Sequence, residues 1–172
     1  MQTKRALTGI AGEYFICSQI LLQNKNCFIT LGNAKSVDLI IIDDNKKAHF
    51  LDVKSTSTLM KNSHGHTDYE EAHGLIGRWQ LPMAMFWQTH TNNKNKTDYD
   101  YADYYIFHNS SDPYKNIIVT SSELVTIMHR RINDYLAKTN KEELEPKNLV
   151  AWDVCEYCFH EFRQYNNWAK LP

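Results

Sequence analysis

The sequence predicts an α/β protein: a central mixed β-sheet flanked by helices. The order of the elements carries this prediction first, reading helix, three strands, a helical stretch, two strands, helix, helix. A second support is Val37-Asp38-Leu39-Ile40-Ile41-Ile42, a β-branched and nearly all-apolar run that suits a strand buried on both faces. A third is the helical spacing of Leu7, Ile10, Tyr14, Cys17 and Leu21, in alternating steps of three and four.

Residues 6–24 form the first expected helix, with that apolar set as its buried face. Gly9 and Gly12 lower its propensity but permit close backbone approach. Glu13 borders the face with no local partner. Cys27–Thr30 reads as a first strand and residues 37–42 as a second. Asp43–Lys47 is a turn, and His49–Lys54 is a third strand closing a hairpin with the second. Residues 55–77 lack periodicity and read as a mobile loop. Residues 79–90 read as a helix or a strand followed by a helix, and 91–100 as a solvated linker. Tyr104–Phe107 and Ile117–Thr120 are two further strands. Ser121 can cap a helix whose apolar face is Leu124, Ile127, Met128, Ile132 and Leu136. The aromatic-rich tail from Trp152 to Trp168 reads as helical. The expected organisation is a core over residues 1–137 and a helical C-terminal extension of the same domain over 138–172.

The chain has 172 residues, 42% of them hydrophobic and 23% charged. That is one ordinary globular domain, too apolar to be disordered. No apolar run is long enough to span a bilayer, and no signal-peptide core follows the first residues. The cytoplasm is the expected location, and no membrane partner is expected. The net charge of -1 excludes a generally basic nucleic-acid coat. Residues 1–61 nevertheless hold eight Lys/Arg against five Asp/Glu, so a polyanion would favour the first third. Cys17 and Cys27 read as core residues. Cys155 and Cys158 form a lone CxxC with His160 nearby. The spacing suits a helix face better than zinc, because no second CxxC completes four ligands. A zinc-bound interaction protein built on these residues is the competing reading.

Asp38, Asp52 and Lys54 stand out chemically. Both carboxylates lie on apolar strands, where a buried ionised Asp is costly unless paired or metal-bound. Asp52 and Lys54 are two apart, so they share a strand face. Pairing of 37–42 with 49–54 brings Asp38 towards Asp52. A divalent cation relieves repulsion between two such carboxylates, and hard oxygen ligands favour Mg2+ or Mn2+.

This arrangement resembles the signature of the PD-(D/E)XK nuclease superfamily: Asp38, a gap, then Asp52-Val53-Lys54. The superfamily includes many restriction endonucleases and archaeal Holliday-junction resolvases. Glu13, in Gly12-Glu13-Tyr14 on the helix before the first strand, is similar to its additional acidic position. Val37 stands where the family has Pro, a residue without a chemical role. The resemblance covers residues 6–54 well and 79–120 loosely. It implies a restriction-endonuclease-like core with an extra C-terminal helix, and a Mg2+-dependent DNA endonuclease acting on duplex or branched DNA. It also implies roles. Asp38, Asp52 and the Val53 carbonyl hold the metal, and Glu13 serves a second metal or its water. Lys54 orients the attacking water and stabilises transition-state charge. Gln80 falls where some members place a polar active-site residue. Lys35 and Ser36 either touch the phosphate backbone or belong to a solvated loop. His64, His66 and His73 read as loop residues near DNA. A resolvase would require a homodimer. The alternative is an inactive nuclease-like module that binds nucleic acid or a partner protein.

Overall fold

The computed structural model describes residues 4–30, 37–56, 75–82, 102–111, 113, 115–140, 149–155 and 166–172. Helix α1 spans Lys4–Leu22, and strands β1 (Asn26–Ile29), β2 (Leu39–Ile42) and β3 (Ala48–Thr56) follow it. Strands β4 (Leu75–Pro82), β5 (Tyr104–Asn109) and β6 (Ile117–Thr120) lead into helix α2 (Ser121–Thr139). Strand β7 (Leu149–Cys155) and a 3-10 turn at Trp168–Lys170 complete the described elements.

Five strands make one mixed sheet in the order β1-β2-β3-β5-β6. The pairs β1–β2, β2–β3 and β5–β6 are antiparallel, and β3–β5 is parallel. One apolar layer joins α1 to the sheet through Ile16, Ile20, Leu39, Ile41, Leu51, Val53 and Ile106. The other joins α2 to the opposite face through Tyr105, Phe107, Val119, Leu124, Met128 and Ile132. The α/β reading with a mixed sheet and flanking helices is therefore correct. No described helix is long and apolar enough to cross a membrane.

The β2–β3 turn follows its polar sequence. Asp43 accepts a backbone bond from Lys46, whose φ of 63° takes the left-handed turn conformation. Helix α2 starts one residue earlier than Ser121 suggested. Thr120 is the cap: its hydroxyl accepts from the Glu123 N–H at 3.2 Å, and Glu123 Oε2 accepts from the Thr120 N–H at 2.8 Å. All five apolar residues expected of α2 are buried.

Three expectations require correction. Residues 149–155, expected in a helical extension, are strand β7, paired antiparallel with β4 as a separate two-stranded sheet. The β-branched and aromatic residues Val150, Trp152 and Val154 explain the preference for a strand. Strand β4 begins at Leu75, inside the segment expected to be a loop, and its course through Trp79 to Pro82 fits the strand-first reading of residues 79–90, with Pro82 tolerated at the strand terminus. The third concerns which face of α1 is buried. Leu7, Ile10, Tyr14 and Leu21 are exposed, whereas Gly12, Ile16, Cys17 and Ile20 face the sheet. Gly12 dictates the rotation. A Cβ there would overlap Ser55 Oγ and lie 2.8 Å from Ser55 Cβ and 3.2 Å from His108 Cδ2. Only a glycine lets α1 approach β3 so closely, so the glycine side of the helix must point inward. Gly9 meets no such wall, its nearest neighbour being Glu13 Oε1 at 4.0 Å.

A Gly12→Ala variant gains up to about 1 kcal/mol of helix propensity. It loses about 1–3 kcal/mol to overpacking against the backbone-anchored Cβ of a central strand. We expect net destabilisation in urea titrations, partly recovered by adding Ser55→Gly, which removes both offending atoms. Equal stability of Gly12→Ala and the wild type would show that the helix is free to retreat.

Candidate active site

The site begins where β2 stops and β3 continues. Pairing of β2 with β3 ends at Leu39↔Leu51, while β3 runs on beside β5 to Thr56↔Asn109. Asp38 sits at this notch. Its N–H donates to the Leu51 carbonyl at 2.8 Å, extending the ladder by one bond. The next ladder donor, the Val53 N–H, finds no strand carbonyl. It donates instead to Asp38 Oδ2 at 2.8 Å. The Asp38 carboxylate thus replaces a missing strand partner, which fixes its position. Thr30 secures the same segment, its hydroxyl donating to the Val37 carbonyl at 2.7 Å and its N–H to the Asp38 carbonyl at 3.0 Å.

Asp52 is 1% exposed. Lys54, two residues along the same strand face, places its ammonium 2.6 Å from Asp52 Oδ1 and donates to Oδ2 at 2.7 Å. No donor among the described residues is aligned for a hydrogen bond to Oδ1. Burial pushes the Asp52 carboxyl up to about 6; the Lys54 ammonium opposes that shift and the Asp38 carboxylate adds to it. Glu13 comes from α1, delivered by the close approach at Gly12. Partial burial raises its carboxyl above the ordinary value, with Asp38 adding to the rise and Lys54 opposing it. Asp38 and Lys54 therefore act electrostatically on both Asp52 and Glu13, although Glu13 starts from a different layer.

Behind the notch, Ser55 and His108 form the floor under Gly12. His108 is buried, stacks on Phe15 at a ring separation of 4.8 Å and bonds through Nδ1 to Asn116 Oδ1 at 2.7 Å. Burial lowers its pKa, which favours the neutral ring. No motif in the sequence marks this support: a single His at a strand end is uninformative until β3 and β5 are paired. In front of the notch, Phe28, Ile40 and Phe50 are cross-strand neighbours on the sheet face that also carries Asp52 and Lys54. Both Phe rings are exposed, making an apolar apron beside the charged site.

The remaining candidates do not join this cluster among the described residues. Gln80 lies on β4 opposite Ala151, and its side chain is outside the described set. Lys35, Ser36, His64, His66, His73, Cys158 and His160 also lie outside the described residues, as does most of the 55–77 segment. Cys155 is the last residue of β7. Cys17 and Cys27 are free, buried thiols, as expected.

The donor set of the notch is two close carboxylates. Among the described residues, no three His, Cys, Asp or Glu side chains form a ready-made metal cage. Two carboxylates suit Mg2+, which retains several waters and is commonly held by one or two protein carboxylates together with substrate phosphate. They do not suit structural zinc, which demands four protein ligands.

The roles of the two flanking acids can be separated. Asp38→Asn keeps an oxygen able to accept from Val53 and removes only the charge. Glu13→Gln does the same one layer away. If the cluster hydrolyses phosphodiesters, Asp38→Asn is expected to lower the single-turnover rate more than Glu13→Gln. An equal or greater loss at Glu13 would make it a direct ligand.

No family model matches the chain, and no curated protein matches it. Among solved structures, the chain is similar to a bacterial homing endonuclease, I-Ssp6803I. The sequence identity is 13% and the TM-score 0.46, over 73% of this chain and 71% of that one.

Proposed function

We propose that the protein is a metal-dependent DNA endonuclease of the PD-(D/E)XK type that hydrolyses phosphodiester bonds at the β2–β3 notch. The observation supporting this reading most is the bond from the Val53 N–H to Asp38 Oδ2 beside the buried Asp52–Lys54 pair. It holds Asp38 at the end of the β2–β3 ladder beside a buried carboxylate whose ammonium partner is partly exposed, an arrangement that supports a metal-assisted hydrolytic site. A carboxylate 1% exposed has a large desolvation cost, and a protein with only structural needs could avoid it with an apolar residue.

Asp38, Asp52 and the Val53 carbonyl would hold a Mg2+ or Mn2+ ion, with Glu13 supporting from α1. Such an ion neutralises the scissile phosphate and makes water a better nucleophile. Lys54 contacts the buried carboxylate and is 32% exposed at its side chain, which supports a role towards a substrate phosphate. Its ammonium would orient the attacking water and meet charge developing on the phosphoryl oxygens. Asp38, held by the Val53 N–H, keeps the anionic edge of the site in place while substrate enters.

The test is a cleavage assay on linear duplex, single-stranded and branched DNA, with Mg2+, with Mn2+ and with chelator. Metal-dependent cleavage leaving 5′-phosphate and 3′-hydroxyl ends is expected. Binding of DNA without cleavage of any substrate under any metal would identify a nuclease-like binding module instead.

A further inference from the structure

The sheet face that carries Asp52 and Lys54 is covered unevenly. Over β5 and β6, Tyr105, Phe107 and Val119 are buried with α2. Over β1 and β3, Phe28 and Phe50 stand open at 56% and 41% exposure. Ile40 lies between them, since Phe28 pairs with Ile40 and Ile40 with Phe50. The three side chains therefore form one row across the strands, with the two rings about 10 Å apart. The other face of these strands is filled: Leu39, Ile41 and Leu51 are buried against α1. Large apolar side chains left open together mark a binding surface.

The row adjoins the notch. Phe50 precedes Asp52 by two residues on the same strand face, about 7 Å away, and Lys54 follows two further on. None of its three members carries charge or a hydrogen-bonding side chain, so the row offers nothing to a phosphate, whereas Lys54 does. Two of the three are flat rings, and the ring nearer the carboxylates is firmly mounted. The Phe50 N–H donates to Asp103 Oδ2 at 2.8 Å, and the Phe50 carbonyl accepts from the Asp103 N–H at 2.8 Å. With a phosphate at Lys54, the row lies where the base of a neighbouring nucleotide would fall. Exposed aromatic rings hold nucleobases by stacking, whichever base is present. A base within a duplex has both faces covered by its neighbours and must leave the stack before a side chain can lie against it.

We propose that the Phe28–Ile40–Phe50 row is a stacking platform for unpaired bases, so that the substrate class of the notch is DNA with a single-stranded segment beside the scissile phosphate. The scissile phosphate rests on the nuclease reading; the platform itself is a binding property that can be measured without cleavage.

Fluorescence anisotropy in chelator separates the two. The probes are an oligo-dT strand, a fully paired duplex of equal length and an abasic strand that keeps only sugars and phosphates. Oligo-dT should bind tightest. Phe28→Ala and Phe50→Ala should each weaken its binding by roughly five- to a hundredfold and leave the abasic strand's affinity unchanged. Phe50→Leu, which keeps apolar bulk, should lose as much as Phe50→Ala, and Phe50→Trp should retain the affinity. Both rings are exposed, so circular dichroism of the variants should match the wild type. In Mg2+, a duplex with an unpaired flap should be cut faster than a fully paired one, and Phe50→Ala should narrow that difference. Duplex bound as tightly as oligo-dT overturns the proposal, as does oligo-dT affinity that the alanine variants leave unchanged. Full retention by Phe50→Leu also overturns it, showing a contact that needs apolar bulk and no ring. Failure of the wild type to cut any DNA overturns the nuclease reading and the placement beside a scissile phosphate, while the binding measurements still decide the platform.

Discussion

Asp52→Asn is expected to abolish cleavage while making the metal-free protein more stable at neutral pH. The rate effect follows from removing a proposed ligand: a bound divalent ion contributes several kcal/mol to the transition state, so its loss costs roughly a thousandfold or more. The stability effect follows from burial. The Asp52 carboxyl, raised from 3.8 to about 6, holds its proton more tightly folded than unfolded. Its favourable contribution is full below pH 3.8 and is lost as pH rises through 6. Past pH 6 the wild type carries a penalty on the order of 3 kcal/mol that the neutral amide does not. Chemical denaturation in chelator at pH 4 and pH 7.5 checks the sign: the variant should gain on the wild type only at the higher pH. Full activity in the variant would remove Asp52 from the mechanism. An equal stability difference at both pH values would show that burial does not govern its titration.

Lys54→Ala is expected to lower the single-turnover cleavage rate by roughly a hundred- to a thousandfold, the range associated with losing one donor of about 2.7–4 kcal/mol. It should not weaken Mg2+ binding. The ammonium lies 2.6 Å from Asp52 Oδ1 and bonds to Oδ2 at 2.7 Å, so it competes for the oxygens that a metal would use. Its removal frees those oxygens and deletes a nearby positive charge. The metal-free variant should also be less stable than the wild type above pH 6, because Asp52 is left buried without its counter-ion. Added Mg2+ should reverse that loss. Calorimetric titration beside rapid-quench kinetics distinguishes the outcomes. Magnesium affinity falling in step with rate would make Lys54 a structural partner of the carboxylates alone.

Local chemistry determined a large part of this protein. The β-branched run at 39–42, the Asp43–Lys47 turn and the register that sets Asp38 beside Asp52 depend on neighbours within about fifteen residues, so sequence alone discloses them. Asp52 and Lys54 share a face because strand geometry leaves no alternative. The apolar face of α2 was equally legible, since its pattern is amphipathic and has one solution.

Tertiary structure decided what local pattern left degenerate. Helix α1 has two apolar stripes, and periodicity cannot choose between them. Contact of Gly12 with Ser55 and His108 chose, burying the weaker pattern and leaving the heptad stripe outside. The same rotation carries Glu13 to the notch, which its own neighbours never implied. Strand β7 departs from the helix its sequence suggests because an aromatic-rich segment suits either helix or strand until a partner such as β4 supplies hydrogen bonds for its backbone. The parallel β3–β5 pairing, which sets His108 under the helix, joins residues more than fifty apart in the chain. Contacts of that range are fixed by packing and backbone satisfaction over the whole sheet, and no window of sequence contains them.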